Sequence, residues 1–333
     1  MRRPGGRWLG PVGLLAAVVA MAVVSSPGQQ PEVNITPRVK PKAPAAETAA
    51  ERNAQIRVDT TLVLIPTTVT TMLGTFVTSL DKENFKLYED KTQQEITTFS
   101  SQDAAMSIGI VFDTSGSMGD KLRQSREAVA QFLKIANPQD EFFLVQFSER
   151  PELLVPFTHA TEDILNKLMF VKSHGSTALL DGVYLAMNQI RKAKNPRKAI
   201  LIISDGGDNS SRYTQTEVKN AVLEADTQVY GIGIFEQGSA RSRTPEEFAG
   251  PEMLHRLANL TGGRSFNVGN LAELPDVAEK IAIELRNEYV LGYSPTNAAR
   301  DGKWRRVEVK LANLKGLPPV KAVFRTGYFA PVQ

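Results

Sequence analysis

The sequence contains no cysteine. That excludes disulfides and thiolate metal sites, and leaves packing, with any hard cation the chain binds, to hold the fold. Three histidines among 333 residues are a thin supply for acid–base catalysis or imidazole ligation. A basic surplus is also missing. Lys+Arg total 39 and Asp+Glu 36, but Arg2, Arg3 and Arg7 lie in residues 1–26, which hold no acid. The rest carries 36 basic against 36 acidic residues, so no basic stripe indicates a nucleic-acid partner. No apolar run reaches the roughly 20 residues of a spanning helix. Neither a Walker lysine loop nor a dinucleotide glycine fingerprint occurs, and there are no internal repeats. A G-x-S-x-G nucleophile elbow is ruled out around Ser117 because position 115 is serine, not glycine. The Asp-x-Asp start of aspartyl-phosphate phosphatases fails at the same position.

What is present begins with an address. The three arginines precede an apolar run, Val12–Val24, with small-residue contexts at Ala20-Met21-Ala22 and Val24-Ser25-Ser26. This pattern predicts a signal peptide over 1–26 and a secreted, periplasmic or cell-envelope protein. The alternative is an uncleaved leader, which would then be the membrane contact. Residues 27–55 carry Pro27, Pro31, Pro37, Pro41 and Pro44 among Ala, Gln, Glu and Lys. They have too little apolar content for a core and read as a spacer.

From residue 56 to 102 the chain is dense in β-branched residues broken by turn signals, for example Leu62, Leu64, Ile65 and Val69, then Phe85 and Leu87, then Ile96 and Phe99. Short antiparallel strands follow from this. Over 103–286 two patterns alternate. Ile108–Phe112, Phe142–Val145, Ala199–Ile203 and Val229–Ile234 are continuous apolar runs, as in strands buried on both faces. Between them Leu122, Val129, Phe132 and Leu133, then Leu180, Val183, Met187 and Ile190, recur at helical spacing. The same holds for Val218, Ala221 and Val222, and for Leu274, Val277, Ala278 and Ile281. The expectation is an α/β fold with a doubly wound, mostly parallel sheet. Residues 287–333 return to β character, predicting one β-rich domain shared with 56–102. Residues 236–250, with Gly238, Arg241, Arg243 and Pro245, read as a long irregular loop.

The informative stretch is Asp113-Thr114-Ser115-Gly116-Ser117, directly after the first central strand. Ligands of open α/β sheets bind beyond the carboxyl ends of the strands. An acid and two hydroxyls at alternate positions can turn to one point there. Gly175-Ser176-Thr177 adds a hydroxyl before the next helix, and Ser204-Asp205 adds a carboxylate at another strand end. Oxygen ligands of mixed charge suit Mg²⁺ or Mn²⁺. The competing reading is a Ser/Asp turn capping the helix that starts near Lys121.

The order Asp-x-Ser-x-Ser, then Thr, then Asp resembles the metal-ion-dependent adhesion site of the von Willebrand factor A-like fold. The resemblance implies that Ser115 and Ser117 ligate the metal directly. Thr177, Asp113 and Asp205 would act directly or through water, with one position open for an acidic group of a partner. A narrower resemblance covers about 56–329. Leu80–Asp90, Glu288–Pro295 and Arg325–Ala330 are similar to the flanks of the acidobacterial VWFA-related family. Thr71-Met72-Leu73-Gly74 departs from that family's more polar turn. The function expected is a non-enzymatic binding and adhesion module that holds a divalent cation and captures a carboxylate of a protein partner. The rivals are a Mg²⁺-dependent hydrolase and a structural envelope protein whose metal only ties loops together. His174 reads as a polar loop residue bordering the crevice, and Asp208 and Asn209 as residues shaping a polar loop. Tyr289, Tyr293, Phe324, Tyr328 and Phe329 read as β-core.

Overall fold

The computed structural model describes residues 62–332 except 102, 206, 236–244, 313 and 315. The expected leader and spacer lie outside the described residues, as do the first residues of the 56–102 segment and residues 236–244 of the expected irregular loop. None of the described helices is long and apolar enough to cross a membrane.

Strands β1 (Val63–Thr71), β2 (Phe85–Glu89), β3 (Thr92–Gln94) and β4 (Ile96–Ser100) come first. The α/β part follows as β5 (Met106–Asp113), α1 (Leu122–Lys134), β6 (Glu141–Phe147), β7 (Pro151–Thr158), α2 (Thr161–Met169) and α3 (Leu179–Ile190). It continues through β8 (Arg197–Ser204), α4 (Gln215–Glu224), β9 (Gln228–Ile234), α5 (Pro245–Thr261), β10 (Ser265–Val268) and α6 (Leu274–Arg286). The chain closes with β11 (Tyr289–Tyr293), β12 (Trp304–Leu311), β13 (Val320–Phe324) and β14 (Gly327–Phe329).

The central sheet has the order β10-β9-β8-β5-β6-β7, parallel except for β7 at the edge. Every residue of β5 and β9 is buried, as the continuous apolar runs require of strands covered on both faces. Along β5 the side chains alternate between two cores. Ile108, Ile110 and Phe112 join α1 and α6, whereas Val111 joins α3, α4 and α5. Gly109 is needed on the second face, where a Cβ would stand 2.2 Å from Cζ of Phe143.

Three elements differ from expectation. The sequence of β7, with Pro151 and Pro156, lacks a clean strand signal, and proline is tolerated there because the strand lies at the sheet edge. The nine-residue α2 is too short for its periodicity to stand out. Residues 245–250, expected as loop, form the first turns of α5, started by a proline that suits a helix N-terminus.

The flanking strands make two four-stranded antiparallel sheets, β13-β1-β11-β4 and β14-β12-β2-β3. Each combines strands from before and after the α/β part. Val63, Ile65, Phe85 and Leu87 pack with Tyr289, Leu291, Tyr293 and Val309 in one core. Tyr289, Tyr293 and Tyr328 are buried as expected, whereas Phe324 is half-buried and Phe329 exposed. Thr71–Gly74 forms a tight turn with Gly74 at φ 84° and Met72 and Leu73 exposed.

The order of the central sheet fixes where a ligand can sit. From β5 the chain moves to β6 on one side, and from β8 it moves to β9 on the other. The carboxyl ends of β5 and β8 are therefore the topological switch point, where open α/β sheets leave a crevice.

Candidate metal centre

Asp113 ends β5 and Asp205 follows the last residue of β8, so the switch point brings the two carboxylates together from adjacent strands. Asp113 is fully buried, and Asp205 is 6% exposed. Both Asp113 oxygens are engaged: Oδ1 accepts from the Ser115 N–H at 2.8 Å and Oδ2 from Ser204 Oγ at 2.6 Å. Burial, and then the nearby charge of Asp205, push the Asp113 carboxyl up to about 7 despite these donors.

The two serines follow in the turn that leaves β5. Ser115 Oγ and Ser117 Oγ are 3.1 Å apart, with Ser115 buried and Ser117 exposed. Ser115 stands at the N-cap position of the 3-10 turn Gly116–Lys121, but neither hydroxyl makes a capping bond. The 3-10 turn Gly116–Lys121 and helix α1 both start without a side-chain cap bond, so the capping reading of these hydroxyls is not what the fold uses.

The loop before α3 is stitched onto this turn by backbone bonds. His174 N–H donates to Thr114 O and Gly116 N–H to Gly175 O, both at 2.9 Å. Gly116 lies so close that a Cβ would stand 3.2 Å from Gly175 O. Thr177, buried, is then pinned from the third loop. Its N–H donates to Asn209 Oδ1 at 2.9 Å, and the Asn209 N–H returns to Thr177 O at 3.0 Å. The five predicted residues thus sit on three mutually bonded loops at one sheet edge.

Sequence reasoning missed several supporting residues. Lys121 Nζ lies 2.8 Å from Asp205 Oδ2, and nothing in the spacing from Asp113 to position 121 signals that pairing. Asp181, buried on α3, accepts the N–H groups of Arg212 and Tyr213 and so holds the loop after Asp205. Its signal was available, since an acid between Leu180 and Val183 interrupts a buried face. Asp208 holds α3 instead of facing the crevice, accepting from Ser211 Oγ and the Leu180 N–H. The His174 ring is engaged on both sides, with Nε2 3.2 Å from Ser148 Oγ and Nδ1 3.1 Å from Lys172 O.

The donor set fits a hard divalent cation. Among the described residues no cluster of three or more His, Cys, Asp or Glu is available to a metal. The site has two carboxylates with hydroxyls around them, a composition matching oxygen-seeking ions that keep some water.

Residues 108–207, the stretch holding all five candidates, match the von Willebrand factor type A domain. Within the α/β part, residues 108–207 are of the von Willebrand factor type A kind. Among relatives, mouse inter alpha-trypsin inhibitor heavy chain 4 is 33% identical over 142 residues, covering 38% of this chain and 15% of that protein. A UPF0353 protein of Mycolicibacterium paratuberculosis is 28% identical over 232 residues, covering 62% of this chain and 67% of its own length. The chain thus spans only a small part of the mouse protein. A solved von Willebrand factor type A structure from Catenulispora acidiphila aligns at 12% identity over 75% of this chain and 73% of that one, with a TM-score of 0.47.

Proposed function

We propose that the type A domain is a metal-dependent binding module, with Asp113, Ser115, Ser117, Thr177 and Asp205 holding Mg²⁺ or Mn²⁺ and the crevice capturing a carboxylate of a protein partner. The observation that carries this reading is the pairing of Asp113 with Asp205 at the switch point. The acids end or follow adjacent strands, and burial, then the nearby charge of Asp205, push Asp113 up to about 7. A cation between them would offset that repulsion. The bound ion supplies a hard centre to which an outside carboxylate adds as a further ligand. Ser115 and Ser117 present their hydroxyls on the same side, and Asn209 fixes the loop that carries Thr177.

The module is read as non-enzymatic and exported. Hydrolysis at such a centre would need a base, and the His174 ring is bound to Ser148 and Lys172. The leader pattern supports export, and mass spectrometry of the natively expressed protein should find a mature end near residues 23–27. The deciding experiment is capture of partners from envelope extracts with and without chelator. Capture that needs Mg²⁺ or Mn²⁺, without turnover of the partner, supports the module. Equal capture in chelator overturns it.

A further inference from the structure

Lys121 closes the 3-10 turn Gly116–Lys121, the same segment that presents Ser117. Its ammonium lies 2.8 Å from Asp205 Oδ2, with side chains 17% and 6% exposed. Among the described residues no other lysine or arginine pairs with Asp113 or Asp205. The crevice therefore carries one built-in cation against two acids, placed on one of the carboxylates proposed to hold the metal.

An ammonium and a divalent ion cannot both contact that carboxylate without strong mutual repulsion, since the surroundings screen charge far less than water does. Lysine can yield, because its four-carbon stem is flexible and this one already reaches partial solvent. Asp113 offers no such release, being buried and bonded at both oxygens. We infer that Lys121 is an internal competitor for the metal: it holds Asp205 as an ion pair and must leave that carboxylate for a divalent ion to bind. This rests on the metal-binding reading above. It adds that the affinity of the site is set by the strength of the Lys121–Asp205 pair.

The test uses the full chain, stripped with chelator, dialysed and titrated with MgCl₂ by calorimetry and by melting temperature. Lys121→Met removes the competitor, and Lys121→Arg keeps the charge as a control. Lys121→Met should bind Mg²⁺ at least roughly tenfold more tightly than the parent, equivalent to about 1.4 kcal/mol. Lys121→Arg should stay close to the parent. Independently of any variant's folding, reductive methylation of the parent read by peptide mass spectrometry should label Lys121 faster when MgCl₂ is present. The exposed Lys219 should be labelled equally in both conditions. If the parent binds Mg²⁺ but Lys121→Met binds no tighter and Lys121 labelling does not change, the competition is refuted while the metal site stands. Binding by Lys121→Met alone would show that the pair blocks the site outright. Absence of binding in both proteins overturns the metal reading, and the competition falls with it.

Discussion

Ser204 Oγ donates to Asp113 Oδ2 at 2.6 Å, so the last residue of β8 anchors the carboxylate that ends β5. The Ser115 N–H takes the other oxygen at 2.8 Å. These bonds fix the carboxylate within the dry switch point even though they do not fully offset its burial. Asp113 is thus a preset part of the crevice, whereas Asp205 has a partner that can leave.

A pH dependence follows from this burial. In the folded, chelated protein Asp113 titrates at about 7, against an ordinary aspartate value of 3.8. Glu284, buried near Arg264, is likewise raised to about 7, chiefly by burial. Between roughly pH 4 and 7 the folded state therefore binds more protons than the unfolded one, and stability falls as pH rises through that window. Melting in chelator from about pH 5 to 8 should show this decline. Asp113→Asn and Glu284→Gln should each make it shallower, and slopes equal to the parent's would remove the residue concerned from the effect.

Asp205→Ala should weaken Mg²⁺ and Mn²⁺ binding at least roughly tenfold, about 1.4 kcal/mol, since an ion that keeps several waters and has few protein ligands depends on each carboxylate. The stabilisation that ligands confer by mass action should shrink with it. Asp205 is buried, not facing open solvent, and its loss also leaves Lys121 unpaired. The variant should therefore melt somewhat lower even in chelator. Asp208→Ala separates the two effects. It should lower the melting temperature by loosening the start of α3 and leave the metal response unchanged. A full metal response in Asp205→Ala would exclude that residue from the site.

The fold, and the meeting of the five candidate residues at one place in it, were legible because buried parallel strands leave continuous apolar runs, and each candidate ligand stands at the end of such a run or just before a helix. Ile108–Phe112 and Ala199–Ile203 locate β5 and β8, and Asp113 and Asp205 follow directly. Lys121, Ser204 and Asn209 were not legible as partners, because their roles depend on which loops meet in space. Edge strand β7 was hidden by its prolines, and the start of α5 by the glycine- and arginine-containing stretch before it.

On the far side of the sheet, Arg197 of β8 meets Glu288 at 2.9 Å, both deeply buried. Gln228 and Tyr230 bond the other Glu288 oxygen at 2.6 and 3.3 Å. The pair ties β8 to the residue that leads into β11. Arg197→Met strands the carboxylate and should cost about 3–5 kcal/mol in urea unfolding, as breaking a buried pair does. Replacing both residues with apolar ones should recover much of the loss. A single variant within about 1 kcal/mol of the parent would mean that the pair contributes little.

The strands before the type A domain should not stay folded without those after it. β1 lies between β11 and β13, β4 pairs only with β11, and β2 has β12 on one side and the three-residue β3 on the other. Removal of residues 289–333 would leave β1 and β4 with no neighbour. It would also uncover Ile65 and Leu87, which are fully buried against the later strands. Val77 and Leu80 would lose the Tyr289 hydroxyl that bonds the backbone of both at 2.9 Å. What remains is a few short strands, and isolated hairpins are marginal in water. The deletion begins after Glu288 so that Arg197 keeps its partner and the type A domain is spared that loss. Limited trypsin digestion should then cut at Lys82, Lys86 or Lys91 far faster than in the full chain, while a fragment near 103–288 persists. If 63–100 stays as resistant as in the full chain, the two flanking segments do not depend on each other.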